Sequence, residues 1–425
     1  MMQQLANYFF LQKPQENIEK LAKIFLISAV FFMPISTAAT NIFMFLTLVA
    51  WLFSGGFAVR WEMLRGNSFA YATLVMFFIV VLGSFYSSGS REDITYQLFK
   101  YGKILFILPA ITLVQDQKWR EAGINAFCAA MLITLILSVV SAIWPLPFVK
   151  GTAGGASNNH FVFRDHIAQN LMMSFFALIM LARGLLEKNR NKKFVYVLLG
   201  LVAIFDILFL VLGRTGYVSL ALNLVVFMLF LNTWRERILA SSVLAVIIVL
   251  TLQYSSSFNS RVNIAVDEYK THQSTDLSSV GQRIEFLKKS VELIKERPWA
   301  GFGTGAQRKE LCRVADSPQW CNVGQIHPHN QFMAIGIQLG GLGIAVYLLF
   351  MGAAILQARR QLGEYKILGV GLVATLLVDS LFHAPLTLIA EAAIFILLFP
   401  ILLAKTSSDS DKSLEISAGS KSDIY

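Results

Sequence analysis

Long apolar runs recur along this chain and constrain its fold more than any other feature. Each run is about 18 residues or longer, the length of a helix that crosses the hydrocarbon core of a bilayer. Only 15% of the 425 residues are charged, whereas 56% are hydrophobic. A soluble domain has roughly a quarter of its residues charged, so this chain lacks the polar side chains that a water-soluble surface needs. The sequence therefore predicts an all-α polytopic membrane protein. It argues against a soluble enzyme and against an outer-membrane barrel, whose strands are short and alternating.

The apolar runs and the polar breaks between them predict about 12 transmembrane helices. The first nine lie in 21–254 and the last three in 330–404, and a long polar loop at 255–329 separates the two blocks. Residues 1–20 form a polar N-terminal segment, and the Ser-, Asp- and Lys-rich tail 405–425 is expected to be disordered. The predicted spans cover 21–36, 40–58, 68–86, 97–114, 121–144, 166–183, 194–212, 216–232, 238–254, 330–353, 367–383 and 387–404.

Basic residues alternate between dense and sparse loops, and this alternation predicts the orientation of the chain. One set of loops is rich in Lys and Arg, as at 183–193, whereas the short loops of the other set hold almost none. Because cytoplasmic loops carry the excess of basic residues, both termini are predicted to be cytoplasmic and the loop 255–329 periplasmic. The same bias explains most of the net charge of +10. The expected partner is therefore a lipid bilayer, in a multi-pass inner-membrane location, and no nucleic acid is expected.

Arg214 interrupts a stretch that is otherwise almost wholly apolar. The break Gly213-Arg214-Thr215-Gly216 is too short for a soluble loop, which places Arg214 near the outer membrane boundary of two helices. A charge at the centre of a bilayer costs about 3 kcal/mol, so an arginine at membrane depth indicates a function by default. Extension of the side chain to a lipid phosphate is the alternative.

Within the loop 255–329, apolar residues recur at helical spacing from Val280 and predict an amphipathic helix that Pro298 ends. Arg283 lies near the start of this helix, where a guanidinium and free backbone N–H groups would face an anion together. The glycine-rich turn 299–305 follows and would let the backbone approach a ligand or a membrane surface closely. The alternatives are a basic helix that lies along the bilayer and an ordinary surface charge at Arg283.

Two histidines lie where the loop returns to the membrane, in His327-Pro328-His329-Asn330. A histidine with an ordinary pKa near 6.5 can act as a base at neutral pH. Two histidines separated by one residue could also bind a metal ion. However, no acidic ligand lies at a recognisable spacing in the loop, so the sequence predicts no metal site.

Four further residues are weaker candidates. Lys103 lies near the outer end of the fourth predicted span, one turn from Lys100, and could meet a second phosphate. Arg164 closes the second-largest outer loop. Cys312 and Cys321 are nine residues apart in a predicted oxidising compartment, which favours a disulfide between them, with a free pair of thiols as the alternative.

The order of these motifs resembles the O-antigen ligase/polymerase superfamily of polytopic membrane glycosyltransferases. The resemblance rests on the Gln-Arg-Ile helix at 282–284, the Pro-x-x-Gly-x-Gly motif at 298–303, the His-x-His-Asn motif at 327–330 and the glycine-rich span that follows. Within the superfamily, the chain resembles most closely the O-antigen ligase family. The resemblance implies a fold of the GT-C-like glycosyltransferase class and an enzyme with no metal, nucleotide or other cofactor.

The resemblance also implies a reaction and the residues that carry it. The donor would be O-antigen polysaccharide on undecaprenyl diphosphate, and the acceptor a sugar hydroxyl of the lipid A–core. Arg214 and Arg283 would bind the diphosphate, and His329 would be the base of an inverting transfer. His329 is preferred to His327 because the family pattern keeps a histidine directly before Asn. An O-antigen polymerase, a protein O-oligosaccharyltransferase and a non-enzymatic transporter of lipid-linked glycan remain alternatives.

Overall fold

The computed structural model describes residues 2–144, 146–147, 149, 159–255, 259, 263–264, 266–267, 270, 279–315, 321 and 328–404. Within these residues every regular element is a helix, as the apolar runs predict. A 3₁₀ turn at Lys103–Phe106 and a π-helical turn at Asp206–Leu210 interrupt the α-helices. The α-helices are α1 (Met2–Phe32), α2 (Thr37–Phe53), α3 (Phe57–Arg65), α4 (Ser68–Ser84), α5 (Arg91–Gly102), α6 (Ile107–Leu113), α7 (Gln117–Ile143), α8 (His166–Leu186), α9 (Arg190–Phe205), α10 (Arg214–Leu229), α11 (Trp234–Tyr254), α12 (Ser279–Glu296), α13 (Gln307–Arg313), α14 (Gln331–Arg359), α15 (Gly363–Phe382) and α16 (Ile389–Leu403).

Several of these helices meet the length and apolarity that a membrane crossing needs. In the described part of the chain six helices qualify, and α2 with α3 add a seventh if the two, bent by 114°, count as one span. The shorter helices α4, α10 and α16 are also apolar. The chain is therefore a polytopic α-helical membrane protein. A helix covers most of each predicted span, but the number of about 12 crossings stays a prediction. The N-terminal segment 1–20 is helical from Met2 onwards, and the tail 405–425 lies outside the described residues.

The helix α8 lies at the centre of the bundle and is buried along nearly its whole length. It packs against α9, α10 and α15. Its polar side chains bond to these neighbours: Asn170 donates to the carbonyl of Val211 at 3.0 Å, and Ser174 lies 2.7 Å from the hydroxyl of Ser219. In lipid the hydrophobic effect does not hold helices together, so close packing and such hydrogen bonds take its place.

The helix α14 is broken at Gly340, where the backbone has φ 62° and ψ −159°. The predicted span 330–353 is therefore kinked at this residue. A break leaves carbonyl and N–H groups without helical partners, and such groups are costly in an apolar setting. The turn after α12 supplies the missing partners: Gly303 N–H donates to the carbonyl of Gln338 at 2.7 Å, and Gly341 N–H donates to that of Pro298 at 2.7 Å.

The turn 299–305 also contacts α4, which it approaches more closely than any side chain would allow. Thr304 donates from its backbone N–H to Gly83 at 3.0 Å and from its hydroxyl to Val80 at 2.6 Å. A Cβ at Gly303 would lie 2.2 Å from the Cα of Ser87. The predicted close approach of this turn is therefore made to the helices α4 and α14 of the protein itself. The turn fixes α12 against the bundle.

Candidate active site

The helix α12 carries Arg283 to the bundle. It begins at Ser279 and ends at Glu296, two residues before Pro298, close to the bounds that the sequence predicts. Its apolar side packs against α14, where Ile294 lies against Gly336 so closely that a Cβ there would meet it at 2.5 Å. The guanidinium carbon of Arg283 lies 5.8 Å from the ring centre of Phe382, the last residue of α15. Arg283 is thus placed where α12, α14 and α15 meet.

His329 lies directly before α14 in an unusual backbone conformation. Its φ of 53° is positive, a property that no other non-glycine residue in the described part of the chain has. Such a conformation persists only where the surrounding structure imposes it, and it is enriched at functional sites. Asn330 imposes it here: its side chain caps α14 by accepting from Met333 N–H at 3.0 Å, and it donates to the carbonyl of Leu381 at 3.1 Å.

The ring of His329 is half-buried between two other rings. It stacks on Phe286 of α12 at a centroid distance of 6.0 Å and meets His383 edge-on at 6.4 Å. Burial, then the positive charge of Arg283 and to a smaller extent His383, together lower the pKa of His329 to about 4. The imidazole is therefore neutral at any pH well above 4 and has a lone pair that can accept a proton.

His383, which the sequence reasoning missed, lies behind His329. Its Nδ1 is 3.0 Å from Oδ1 of Asp379, and the two side chains are 4% and 0% exposed. The positive charge of Arg283 and the negative charges of Glu391 and Asp165 act on the ring of His383 in opposite directions. The sequence held one signal for this pair: an acidic residue four positions before a histidine, the spacing at which helical side chains meet.

Arg214 begins α10, directly after the break that the sequence predicts. The break is packed tightly against the start of α8, since a Cβ on Gly213 or Gly216 would lie 2.8 or 2.4 Å from the side chain of Asn170. One turn earlier in α8, Asp165 caps the helix and acts on His383. The N-terminal end of α8 therefore joins the Arg214 turn to the cluster that holds Arg283 and His329.

Comparison with known proteins bears on this cluster directly. A family model described as O-antigen ligase matches residues 199–348, an interval that contains Arg214, Arg283 and His329. A relative, the O-antigen ligase of Salmonella typhimurium (strain LT2), is 24% identical over 297 residues, which make up 68% of this chain and 70% of that protein. The segment that holds the three candidate residues is therefore similar to O-antigen ligases. The resemblance that the motif order predicts is thus confirmed.

The weaker candidates occupy different settings. Arg164 is buried and bonds to the junction of α1 and α2, with Nε 3.1 Å from the carbonyl of Met33 and a terminal nitrogen 2.8 Å from the hydroxyl of Thr37. These bonds point to a structural role for Arg164. Lys103 lies in the 3₁₀ turn, 5.4 Å from the ring centre of Phe99.

Tyr101, two residues before Lys103, connects this segment to the candidate site. The hydroxyl of Tyr101 accepts a hydrogen bond at 3.1 Å from Gln331, the first residue of α14.

His327 lies outside the described residues. Cys312 and Cys321, the predicted pair, are joined by a disulfide with 4.3 Å between their Cα atoms.

The described part of the chain holds no group of three or more His, Cys, Asp or Glu side chains arranged to bind a metal ion. The permanent cation that acts on His329 is instead the guanidinium of Arg283. An arginine remains charged at all physiological pH values and grips two phosphate oxygens at once with its planar fork. The cluster thus combines a neutral proton acceptor with a permanent cation that binds phosphate. A metal-independent reaction stays a prediction.

Proposed function

We propose that this protein is an O-antigen ligase, a glycosyltransferase of lipopolysaccharide biosynthesis. It transfers O-antigen polysaccharide from undecaprenyl diphosphate to a sugar of the lipid A–core and needs neither metal nor nucleotide. The observation that carries the proposal is the placement of His329 where the charge of Arg283 acts on it, inside the region that matches the O-antigen ligase family model. The reaction requires a base for the acceptor and a cation for the leaving diphosphate, and these two residues supply them.

The same proposal gives the protein an orientation. It lies in the inner membrane with both termini in the cytoplasm and with 255–329 and the active site facing the periplasm. The alternation of basic loops supports this orientation. A site at the start of α14 also suits two lipid-linked substrates, because their sugars can meet at the bilayer boundary while their lipid chains stay in the membrane.

The mechanism is a single displacement at the anomeric carbon of the donor. The acceptor hydroxyl loses its proton to a ring nitrogen of His329, and its oxygen forms the new bond to the anomeric carbon. The bond between that carbon and the phosphate oxygen breaks at the same time, and its electron pair leaves with undecaprenyl diphosphate. Because attack and departure occur on opposite faces, the configuration of the sugar inverts.

Arg214 and Arg283 stabilise the negative charge that grows on the diphosphate. Removal of one such transition-state contact costs about 3 kcal/mol, or roughly a hundredfold in rate. Arg283→Ala is therefore expected to weaken donor binding and to slow transfer, and Arg283→Lys to rescue it only in part, because lysine lacks the planar fork. Arg308→Ala is a matched control: Arg308 is half-exposed on the same segment and pairs with Asp93 at 3.8 Å, away from the site.

The test is gel analysis of lipopolysaccharide from a deletion strain that carries the wild-type gene or the His329→Ala variant. If the protein is a ligase, the deletion removes the polymer ladder from the core while undecaprenyl-linked polymer persists. The wild-type gene then restores the ladder and the His329→Ala variant does not. A single repeat unit on the core would instead indicate a polymerase. An unchanged ladder together with loss of glycan from a protein would indicate an oligosaccharyltransferase. Full function of both His329→Ala and His327→Ala would favour a transporter.

A further inference from the structure

Asp379 and His383 form a buried pair that the proposed mechanism does not use. They lie at the end of α15, where Nδ1 of His383 is 3.0 Å from Oδ1 of Asp379. The carboxylate of Asp379 is wholly buried, and its second oxygen, Oδ2, has no hydrogen-bond partner within the described part of the chain. A buried, half-satisfied acidic group is costly to keep, which argues for a role beyond packing.

The segment that carries His383 is bonded to the segment that carries His329. Asn330 donates to the carbonyl of Leu381 at 3.1 Å, and the side chain of Gln331 accepts from Leu386 N–H at 3.0 Å. These two bonds lie on either side of His383 and directly after His329. The two imidazole rings, 6.4 Å apart, are therefore held in a fixed mutual position.

Charges converge on these rings from every helix packed around them. Arg283 faces both histidines from α12. Acidic groups oppose it: Asp379 from α15, Glu391 from α16 and Asp165 from the start of α8. If His329 accepts a proton, a second positive charge forms beside Arg283. The acidic groups that act on His383 are opposite charges that can offset it.

We propose that His383, held by Asp379, is a positioning residue for His329. This role rests on the function proposed above. Asp379 accepts a hydrogen bond from the Nδ1–H of His383 and so fixes its tautomer and ring orientation, as carboxylates do behind other functional histidines. His383 then supports the ring of His329 from behind. When His329 takes the acceptor proton, the charge of Asp379 stabilises the imidazolium that forms.

The test is the pH dependence of transfer by Asp379→Asn, measured with purified full-length protein in nanodiscs. Asparagine keeps the size of the side chain but removes its charge. The imidazolium of His329 is then less stable, so its pKa falls and it becomes a weaker base. The transfer rate on the pH-independent plateau is expected to drop about tenfold. The acidic limb, which is the pH range where the rate falls as His329 becomes protonated, is expected to move down by about one pH unit. Donor affinity stays unchanged, and Asp379→Glu recovers part of the rate.

Ser380→Ala is the matched control, because it removes a buried hydroxyl next to Asp379 that bonds to Tyr347 at 2.7 Å and is not part of the cluster. It is expected to leave the acidic limb in place. A slower Asp379→Asn enzyme with an unmoved limb would mean a merely structural role and would overturn the proposal. If Asp379→Asn does not accumulate in the membrane, the same measurement is made on His383→Gln. A normal transfer rate and pH profile would overturn the proposal. A lower rate with a shifted acidic limb would support it.

Failure of this inference is distinguishable from failure of the proposed function. If His329→Ala is inactive while Asp379→Asn and His383→Gln behave as wild type, the ligase function stands and the positioning role falls. If wild-type protein transfers no glycan to lipid A–core, the function itself falls, and the positioning role falls with it.

Discussion

The most direct structural prediction concerns Gly303→Ala in the turn that joins α12 to the bundle. Gly303 has φ +94°, and an added Cβ would lie 2.2 Å from the Cα and 2.7 Å from the backbone nitrogen of Ser87. Backbone atoms cannot yield as a flexible side chain does, so the turn must move away from α4. That movement breaks the bonds from Gly303 N–H to Gln338 at 2.7 Å and from Thr304 N–H to Gly83 at 3.0 Å.

The expected magnitude follows from these contacts. A left-handed conformation costs a residue with a Cβ about 1 to 2 kcal/mol, and each lost hydrogen bond about 1 kcal/mol, so docking of the turn weakens by about 3 to 4 kcal/mol. Because the turn positions α12, Arg283 moves with it, and transfer is expected to fall at least tenfold. The assays are thermal unfolding in detergent and hydrogen exchange of residues 298–305.

Two other glycines separate the cost of the left-handed conformation from the cost of the steric clash. Gly363 has φ +55° but nothing within 4 Å of its Cβ position, so Gly363→Ala carries the conformational cost alone. Gly352 lies in α14 with open space around it and no positive φ, so Gly352→Ala is expected to be neutral or slightly stabilising. The order of destabilisation should be Gly303→Ala, then Gly363→Ala, then Gly352→Ala. Equal stability of the Gly303→Ala and Gly352→Ala proteins would refute the reasoning.

Three further predictions concern the site and its surroundings. Because the pKa of His329 in the empty site is lowered to about 4, kcat/KM for the donor should persist from pH 7 to pH 5 and fall only as the pH drops through about 4. The residual activity of Arg283→Gln should begin to fall at a higher pH than that of the wild type, because the pKa of His329 rises when the positive charge is removed. An unchanged pH profile would mean that Arg283 does not act on His329. Alkaline phosphatase fused at Thr271 should be active and at Asn189 inactive, and the reverse result would invert the orientation. Purified protein should transfer glycan in excess chelator, whereas activity restored only by a divalent ion would refute metal independence.

The sequence was informative wherever the signal is local. Hydrophobic period and the stop at Pro298 were enough to predict the helix Ser279–Glu296 nearly to the residue. The glycine pattern around Arg214 located the start of α10. A nine-residue separation sufficed to propose the disulfide between Cys312 and Cys321. In each case the residues that determine the local structure lie within or next to the element that they predict.

The features that sequence reasoning missed depend on contacts between distant segments. The break at Gly340 is stable only because a turn some forty residues earlier supplies the missing hydrogen bonds, and no local pattern reports that. His383 joins His329 only through the packing of α15 against α14. Arg164 is a weaker site candidate by sequence, but it donates hydrogen bonds to the carbonyl of Met33, which is far away in the sequence.

Arg283 has opposite effects on the two halves of the proposed reaction. Its positive charge disfavours a second charge on His329 and so weakens the base, as the lowered pKa of His329 shows. The same charge stabilises the departing diphosphate. Once a donor diphosphate binds Arg283, its negative charge offsets the guanidinium, and the pKa of His329 rises toward its ordinary value. The base is therefore weak in the empty site and becomes stronger when the donor is in place. This coupling favours donor binding before deprotonation of the acceptor, and it protects the enzyme from activating a hydroxyl that has no sugar to attack.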